Sequence, residues 1–242
     1  MCFLINQFEK CWDGKLMTLQ DKLYKILIQG GSWKVILNGL RVTIKISALS
    51  LLFGTILGAL ICLLRTRKNP LLRGIAAFYI AVLRGTPVLM LLLLLYYGVF
   101  AKAGLKPVTV AVITFSLNVS AHVAELLRAA MEATDHGQAE AARTLGFSSW
   151  ETFRLVTLPQ MLHIAKPVYQ STITNLIQWT SVVGYVTITD LTRVINNIAS
   201  RTMQPLLTII IGMLIYLALS YIVFGIFALT DLAEKKKRGQ AA

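Results

Sequence analysis

The sequence predicts an all-α integral membrane protein with five transmembrane helices. Of its 242 residues, 56% are apolar and only 14% are charged, whereas a soluble domain usually has about 25% charged residues. The apolar residues also form several long runs, and a helix of about 20 such residues crosses a bilayer. The length of the chain suits one domain with short loops between the spans.

The net charge of +13 is typical of some nucleic-acid-binding proteins. Here, however, the basic residues fall at the ends of the apolar runs and at the C-terminus, without a basic motif interleaved with aromatic residues. Cys2, Cys11 and Cys62 lack paired spacing, so neither a metal site nor a disulfide framework is indicated. Residues 1–30 also lack the pattern of a signal peptide.

We expect residues 1–33 to form an extension followed by an amphipathic helix at the membrane surface. Residues 16–28 place five apolar side chains on one helical face: Leu16, Leu19, Leu23, Ile26 and Leu27. Such a helix typically lies in the plane of the membrane. A solvated arm is the alternative for this segment.

The first span is predicted at about 34–64, where Gly54 and Gly58 have a spacing that permits close helix packing. The apolar run that follows is broken by Arg84-Gly85-Thr86-Pro87. We therefore expect an interfacial helix over 75–83 and the second span at about 86–103. Arg84 then lies among the headgroups, Pro87 lies in the first helical turn, and 89–95 face lipid.

The third span is predicted at about 108–127 and carries a series of polar residues: Asn118, Ser120, His122 and Glu125. Polar side chains within a membrane face protein or water by default. Glu125 and Arg128, three residues apart, are expected to pair where the helix leaves the membrane. A direct role of Glu125 in transport is the alternative.

The fourth span, at about 167–191, is the least apolar of the five. It includes Thr172, Thr174, Asn175, Gln178, Thr180 and Ser181. This composition indicates a helix shielded from lipid that lines a path, with Asn175 and Gln178 on one face. Hydrogen bonding between helices is the alternative, and the one we favour for the threonines. A polar external loop, 190–204, and the fifth span, at about 205–230, follow.

The longest polar interval in the second half of the chain, 135–159, predicts two short helices. Asp135 and Gln138 have capping-box spacing at the start of the first helix. Gly146 ends that helix, because glycine adopts the left-handed conformation at little cost. The element is either an ordinary loop with two helical turns or a surface that another protein binds.

The second of these helices has equally clear limits. Ser148 and Glu151 repeat the capping-box spacing. Pro159 is predicted to end the helix, because the residue before a proline is driven out of the helical conformation.

Specific residues in this interval resemble a known family. Glu140-Ala141-Ala142, then Gly146, then Leu158-Pro159 resemble the EAA loop of ABC importer permeases, and the run 137–146 is similar to the polar amino acid branch. Segments 84–87 and 120–125 also resemble this branch, so the similarity spans roughly 30–235. The segment 176–182, Leu-Ile-Gln-Trp-Thr-Ser-Val, departs from the family's Leu-Leu-Lys-Asp/Asn-Thr-Ser-Leu, so the substrate preference cannot be copied.

The resemblance implies that 34–234 are the permease domain of an ATP-driven amino acid importer that works by alternating access. The implied partners are a dimer of ABC ATPase subunits, a second permease that is identical or homologous, and an external substrate-binding protein. The loop 135–159 would be the coupling helix, with Gln138, Glu140, Ala141, Ala142, Gly146 and Pro159 at the ATPase contact. The expected substrate path comprises Asn118, His122, Asn175, Gln178 and Thr180.

The chain itself lacks the motifs of an enzyme. It has no Gly-x-x-x-x-Gly-Lys-Ser/Thr motif, so we expect ATP and Mg²⁺ to bind to the partner ATPase. We expect no catalytic residues and no metal site, because the common hydrolase and metal-binding motifs are also missing.

The distribution of charge predicts the orientation in the cytoplasmic membrane. The segments on the side of the coupling loop and of the basic tail, 235–242, carry 12 Lys and Arg: Arg65, Arg67, Lys68, Arg73, Arg128, Arg143, Arg154, Lys166, Lys235, Lys236, Lys237 and Arg238. The opposite loops carry four: Lys102, Lys106, Arg193 and Arg201. The coupling loop and C-terminus are therefore predicted to be cytoplasmic and the N-terminus external, although the N-terminal arm is itself basic.

Two alternatives remain open from the sequence. One is an ion-coupled secondary transporter or a channel that uses Glu125, Asp190 or His122, although no inverted repeat is recognisable. The other is a permease of a different ABC importer branch, such as one for methionine or phosphonate. The latter would share the coupling loop and differ in substrate.

Overall fold

The computed structural model describes the backbone of residues 19–239 and the side chains of residues 20–232. The predicted extension up to residue 18, which includes Leu16, and residues 240–242 lie outside the described residues. Throughout the described part, every regular element is a helix, so the predicted all-α class is confirmed.

Ten α-helices follow one another along the described chain. They are α1 (Leu19–Leu27), α2 (Ser32–Arg65), α3 (Pro70–Gly85), α4 (Val88–Leu93), α5 (Pro107–Glu132), α6 (His136–Thr144), α7 (Ser149–Thr152), α8 (Leu158–Trp179), α9 (Leu191–Thr202) and α10 (Pro205–Gly239). Two π-helical stretches, Leu94–Val99 and Phe153–Thr157, extend α4 and join α7 to α8. The 3₁₀-helix Thr180–Val186 continues α8.

Three of the described helices are long and apolar enough to cross a bilayer: Gln29–Arg65, Pro107–Glu132 and Pro205–Leu232. The helices α3 and α4, which meet at 106°, qualify as a fourth span if they are counted together. Helix α8, which contains most of the predicted fourth span, is not apolar enough to be counted by composition, because Lys166 and several amide and hydroxyl groups interrupt it.

The break between α3 and α4 lies at Thr86-Pro87, as the sequence predicts, but the helices differ from the prediction in length. The interfacial helix is longer than 75–83, because Asn69 caps it at Leu71 and Pro70 opens it. The second helix ends at Val99 rather than at 103. The prediction that 89–95 face lipid is wrong in part, since Leu91 and Leu92 are buried.

Helices α2 and α5 pack in direct contact along two glycines of α2. A Cβ atom added to Gly54 would lie 2.7 Å from Val119, and one added to Gly58 would lie 2.7 Å from Val123. The absence of a side chain at these two positions lets the backbones approach closely, as in small-xxx-small contacts of membrane helices. The predicted packing role of this pair is confirmed.

The prediction that 190–204 form a loop is wrong, because Leu191–Thr202 form the amphipathic helix α9. Its buried face consists of Leu191, Val194, Ile195, Ile198, Ala199 and Thr202. The side chain of Asp190 caps the helix by accepting hydrogen bonds from the backbone N–H groups of Thr192 and Arg193. The helical spacing of the apolar residues outweighs the many polar residues between them.

Helix α9 also packs against α1. Ile26 of α1 is fully buried in a cluster with Leu191, Val194, Ile195 and Ile198. The guanidinium group of Arg201 donates to the carbonyl of Gln29 at 3.2 Å and to the hydroxyl of Ser32 at 2.5 Å. Part of the apolar face of α1 therefore contacts protein, rather than lying wholly on the membrane as predicted.

Replacing Gly58 by valine should destabilise the α2–α5 contact. The added atoms collide with Val123 and with the carbonyl of Ser120, so we expect the apparent Tm in detergent to fall by about 3–10 °C. Size-exclusion chromatography after heating measures this change. The control is Gly225→Val in α10, where an added Cβ meets no atom within 4 Å; an equal loss in both variants would contradict the packing role.

Candidate coupling loop and membrane path

The first helix of the loop 135–159, α6, begins at Asp135 but not with the predicted capping box. The Asp135 carboxylate accepts a hydrogen bond from the backbone N–H of Gly137 at 2.9 Å. The Gln138 side chain instead accepts a hydrogen bond from the amide of Gln160 at 2.8 Å. Gln138 therefore ties α6 to the start of α8, a role that sequence spacing does not reveal.

The end of α6 matches the prediction. Gly146 has φ +92°, in the region that glycine occupies at least cost. The backbone N–H of Gly146 donates to the carbonyl of Arg143, and that of Phe147 donates to the carbonyl of Ala142. This pair of hydrogen bonds is the Schellman motif, and it turns the chain sharply between α6 and α7.

The capping box at Ser148 and Glu151 is confirmed. The backbone N–H of Ser148 donates to the Glu151 carboxylate at 2.8 Å, and the backbone N–H of Glu151 donates to the Ser148 hydroxyl at 3.3 Å. Hydrogen bonds from the side chain and the backbone of Ser148 lower the pKa of Glu151. The start of α7 is thus defined by its own side chains.

Pro159 does not end this helix as predicted. Between Phe153 and Thr157 the backbone hydrogen bonds join residues five positions apart instead of four. The backbone N–H of Leu158, for example, donates to the carbonyl of Phe153. Pro159 then lies in the first turn of α8, where its missing N–H costs little. The polar loop and the membrane helix are therefore continuous through a π-helical turn.

The surface of the loop combines exposed small residues with large apolar side chains. Leu145 is 80% exposed and Trp150 is 67% exposed. Glu140, Ala141 and Gly146 are also exposed, whereas Ala142 is buried. The sequence prediction missed Leu145 and Trp150, although the presence of large apolar residues in a polar interval is a signal for a binding surface.

The predicted pair at the end of α5 is confirmed and is larger than expected. The guanidinium group of Arg128 lies 2.6 Å from the Glu125 carboxylate and also pairs with Glu132. This network lies three residues before the loop begins. Because Glu125 is bound by Arg128, the geometry favours the structural role over a direct role in transport.

The predicted path residues differ in their exposure and in their contacts. Asn118 is buried, and its amide donates to the carbonyl of Leu83 at 3.1 Å, next to the break between α3 and α4. Thr180 is buried and donates to the carbonyl of Ile177. His122 is half-buried, and its ring centroid lies 5.2 Å from that of Trp179.

The two predicted amides of α8, in contrast, are exposed. Asn175 and Gln178 continue an exposed face that begins with Val168 and Ser171. These positions are separated by three or four residues and therefore lie on one side of the helix. Amide groups are costly in contact with lipid, so this face requires protein or water beside it in the membrane.

No group of three or more His, Cys, Asp or Glu residues suited to a metal ion occurs in the described part of the chain.

Comparison with known proteins assigns the chain to a family. Residues 50–236 match the family described as the binding-protein-dependent transport system inner membrane component. The chain belongs to this family. It is therefore an inner-membrane permease subunit of an ABC importer, a class of subunit that works with partner subunits and has no ATPase site of its own.

Individual relatives agree with this assignment. The chain is 37% identical to the probable amino-acid ABC transporter permease protein YckA of Bacillus subtilis, over 85% of this chain and 90% of that one. It is 34% identical to the L-cystine transport system permease protein TcyB of the same species, over 81% of this permease and 84% of that one.

Solved structures show the same architecture. An amino acid ABC transporter crystallised with histidines superposes with a TM-score of 0.76 at 30% identity, over 83% of this permease and 94% of that chain. An inward-facing methionine ABC transporter superposes with a TM-score of 0.70 at 16% identity, a likeness of fold alone. The family assignment favours an importer over the ion-coupled transporter or channel.

Removing the Ser148 cap should loosen the second half of the loop. In Ser148→Ala the reciprocal hydrogen bonds with Glu151 are lost, and we expect amide hydrogen exchange across 149–152 to rise by about 2- to 30-fold. Hydrogen-exchange mass spectrometry of the purified permease measures this. Ser149→Ala, one residue along, is the matched control, and unchanged exchange in Ser148→Ala would show that the cap is dispensable.

Proposed function

We propose that this permease provides the membrane path for an amino acid in an ATP-driven importer, and that loop 135–159 couples it to a separate dimer of ABC ATPase subunits. ATP and Mg²⁺ bind on those partners. The names of the two Bacillus subtilis relatives support the class of substrate. The solved amino acid transporter at 30% identity supports it as well.

The observation that carries the coupling role is the structure of the loop itself. It is a bounded element, held by the Schellman motif at Gly146, the cap at Ser148 and the bond between Gln138 and Gln160. It nevertheless presents Leu145 and Trp150 to solvent. A well-defined element with exposed large apolar side chains is typical of a protein-binding surface.

The loop is also well placed to transmit force to the membrane region. The π-helical turn Phe153–Thr157 connects it without interruption to α8, which carries Asn175 and Gln178. A displacement of α7 by the ATPase would therefore be passed along α8 to the proposed path. Glu140, Ala141 and Gly146 form the exposed contact with the ATPase, while the buried Ala142 packs behind them.

The topology that follows has five spans, with the coupling loop and the C-terminus in the cytoplasm and the N-terminus outside. The fourth span is the α8 segment, and the second is the short α4 region after the break. The excess of Lys and Arg on the side of the loop supports this orientation. Helix α9 then lies on the outer side, where a substrate-binding protein delivers the amino acid.

The substrate path follows from the exposed face of α8. Asn175 and Gln178 offer both donors and acceptors, which suit the carboxylate and the ammonium group of an amino acid. A second permease, identical or homologous, packs beside this face and encloses the path, which removes the amides from lipid. His122 extends the path from α5, whereas Asn118 and Thr180 hold its walls in place through backbone carbonyls.

Transport proceeds by alternating access between two arrangements of the spans. ATP shifts the balance only if the two arrangements differ in their contacts with the ATPase. The loop supplies this difference, because closure of the ATPase dimer draws together the coupling loops of the two permeases. Hydrolysis then returns the permease to its resting arrangement.

A valine at Gly146 should abolish ATP-driven uptake while the permease still inserts. Valine strongly disfavours the positive φ of this turn, so the orientation of α6 relative to α7 changes. Uptake of radiolabelled amino acid into proteoliposomes measures the effect. The control is Gly104→Val, which also has a positive φ and open surroundings but lies in a different loop; wild-type uptake in Gly146→Val would refute the coupling role.

Removing the amides of α8 should impair transport without removing coupling. In Asn175→Leu with Gln178→Leu, the path loses its donors and acceptors, and we expect uptake to fall by about tenfold or more. The basal ATPase activity of the assembled importer should remain. Asn197→Leu, which replaces an exposed amide on α9, is the control and should retain uptake. Wild-type uptake in the α8 variant would place the path elsewhere.

A further inference from the structure

Helix α2 is longer than a bilayer requires. Its 34 residues extend about 51 Å at 1.5 Å per residue, whereas the hydrocarbon layer measures about 30 Å. Arg65, Arg67 and Lys68 mark the end of the apolar part at Leu64. The apolar segment 46–64 already covers about 28 Å, so the surplus lies at the start of the helix, in 32–45.

This first part of α2 carries a stripe of polar side chains on one face, here called the basic stripe. Its members are Lys34, Asn38, Arg41 and Lys45, which are spaced by four, three and four residues and are all exposed. The opposite face, with Ile36, Gly39 and Thr43, is buried against the rest of the protein. The basic stripe therefore points directly away from the helical core.

Toward the C-terminal end of α2, the same face becomes apolar. Leu52, Ile56 and Leu63 fall in line with the basic stripe, and each is 53–54% exposed. In a helix that crosses the membrane, such a face contacts the acyl chains of lipids. Leu52, which faces the hydrocarbon, therefore lies on the same side of α2 as the positive charges of Lys45 and Arg41.

The depth of the charges matches the phosphate layer. Lys45 lies at the edge of the apolar segment, and Arg41 lies one turn further out, about 6 Å along the helix. The headgroup region on each side of the hydrocarbon is about 5–8 Å thick. The exposed ring of Trp33 at the start of α2 has the amphipathic character that suits a membrane interface.

Within residues 20–232, no acidic side chain neutralises the charges of the basic stripe. Among the described residues, no ion pair involves Lys34, Arg41 or Lys45, and the only cation–aromatic contact of the three places the Lys34 ammonium 5.5 Å from the ring of Trp33. These exposed charges are therefore available to an anionic group of the membrane.

We propose that Arg41 and Lys45 bind the phosphate of an anionic phospholipid whose acyl chains lie along Leu52 and Ile56. Arginine binds phosphate with a planar fork of donors, and lysine contributes a compact charge beside it. The lipid thereby holds the projecting start of α2 at the surface of the membrane. The choice of the outer leaflet rests on the proposed orientation, whereas the lipid contact itself does not.

The test measures lipid retention by the purified importer complex with native mass spectrometry. Phosphatidylglycerol and phosphatidylcholine with identical acyl chains are titrated against the wild type and against Arg41→Gln with Lys45→Gln. We expect the double variant to lose affinity for phosphatidylglycerol by about tenfold or more, because each basic residue near a membrane surface adds to the attraction. Retention of phosphatidylcholine should not change.

The matched control removes the same charge from another surface. Lys102→Gln with Lys106→Gln deletes two exposed lysines, also four residues apart, from the loop before α5, and it should retain phosphatidylglycerol as the wild type does. Equal retention in the wild type and the Arg41/Lys45 variant, or an equal loss in the control, would overturn the proposal. Size-exclusion profiles verify that each variant remains assembled.

Two further measurements separate the lipid from other anions. Displacement of phosphatidylglycerol by inorganic phosphate would reveal a simple anion site and overturn the lipid assignment. Weaker binding of the purified substrate-binding protein by the Arg41/Lys45 variant, with lipid retention unchanged, would assign the basic stripe to that protein instead. Because lipid retention is measured without transport, its outcome is independent of the proposed substrate.

Discussion

The close contact between α2 and α5 is the constraint on which the rest of the structure depends. Gly54 and Gly58 allow the two backbones to meet against Val119 and Val123, which places α5 at the centre of the bundle. From this position α5 holds its other neighbours through specific contacts. Asn118 fixes the end of α3 at Leu83, the hydroxyl of Ser120 bonds to that of Tyr79, and His122 meets Trp179 of α8. Backbone groups in a membrane must be satisfied within the protein, so the break between α3 and α4 is stable only because α5 lies beside it.

The coupling loop continues this arrangement beyond the membrane. Helix α5 ends in the network of Arg128 with Glu125 and Glu132, and three residues separate it from α6. The loop then returns to the membrane through the π-helical turn that leads into α8. Both ends of the loop are thus attached to helices that meet at His122 and Trp179. This connection links the surface at Leu145 and Trp150 with the amides at Asn175 and Gln178, and it is the physical basis of the coupling that we propose.

Local signals predicted local structure well, and tertiary contacts account for most of the errors. Gly146, the Ser148 cap and the pair of Glu125 with Arg128 depend on residues a few positions apart, so their spacing suffices. Gln138 bonds to Gln160, 22 residues away, which no capping rule detects. Pro159 has no backbone N–H to donate, and the helix accommodates it after a π-helical turn. The rule that the residue before a proline leaves the helical conformation predicts that the helix ends there instead. The polar composition of 190–204 predicts a loop, whereas the helical spacing of Leu191, Val194, Ile195 and Ile198 indicates α9, and the packing of this apolar face decides the structure.

The central claim is that the loop 135–159 contacts an ATPase subunit, and site-specific photo-crosslinking in native membranes tests it most directly. A benzophenone amino acid is placed at position 150, where Trp150 is exposed in the loop, and in a second variant at position 33, where Trp33 is exposed at the start of α2. Mass spectrometry then identifies the adducts. The account predicts an adduct between position 150 and an ABC ATPase subunit, and none with that subunit from position 33. An adduct from both positions, or none from position 150 in a permease that still transports, would contradict the account.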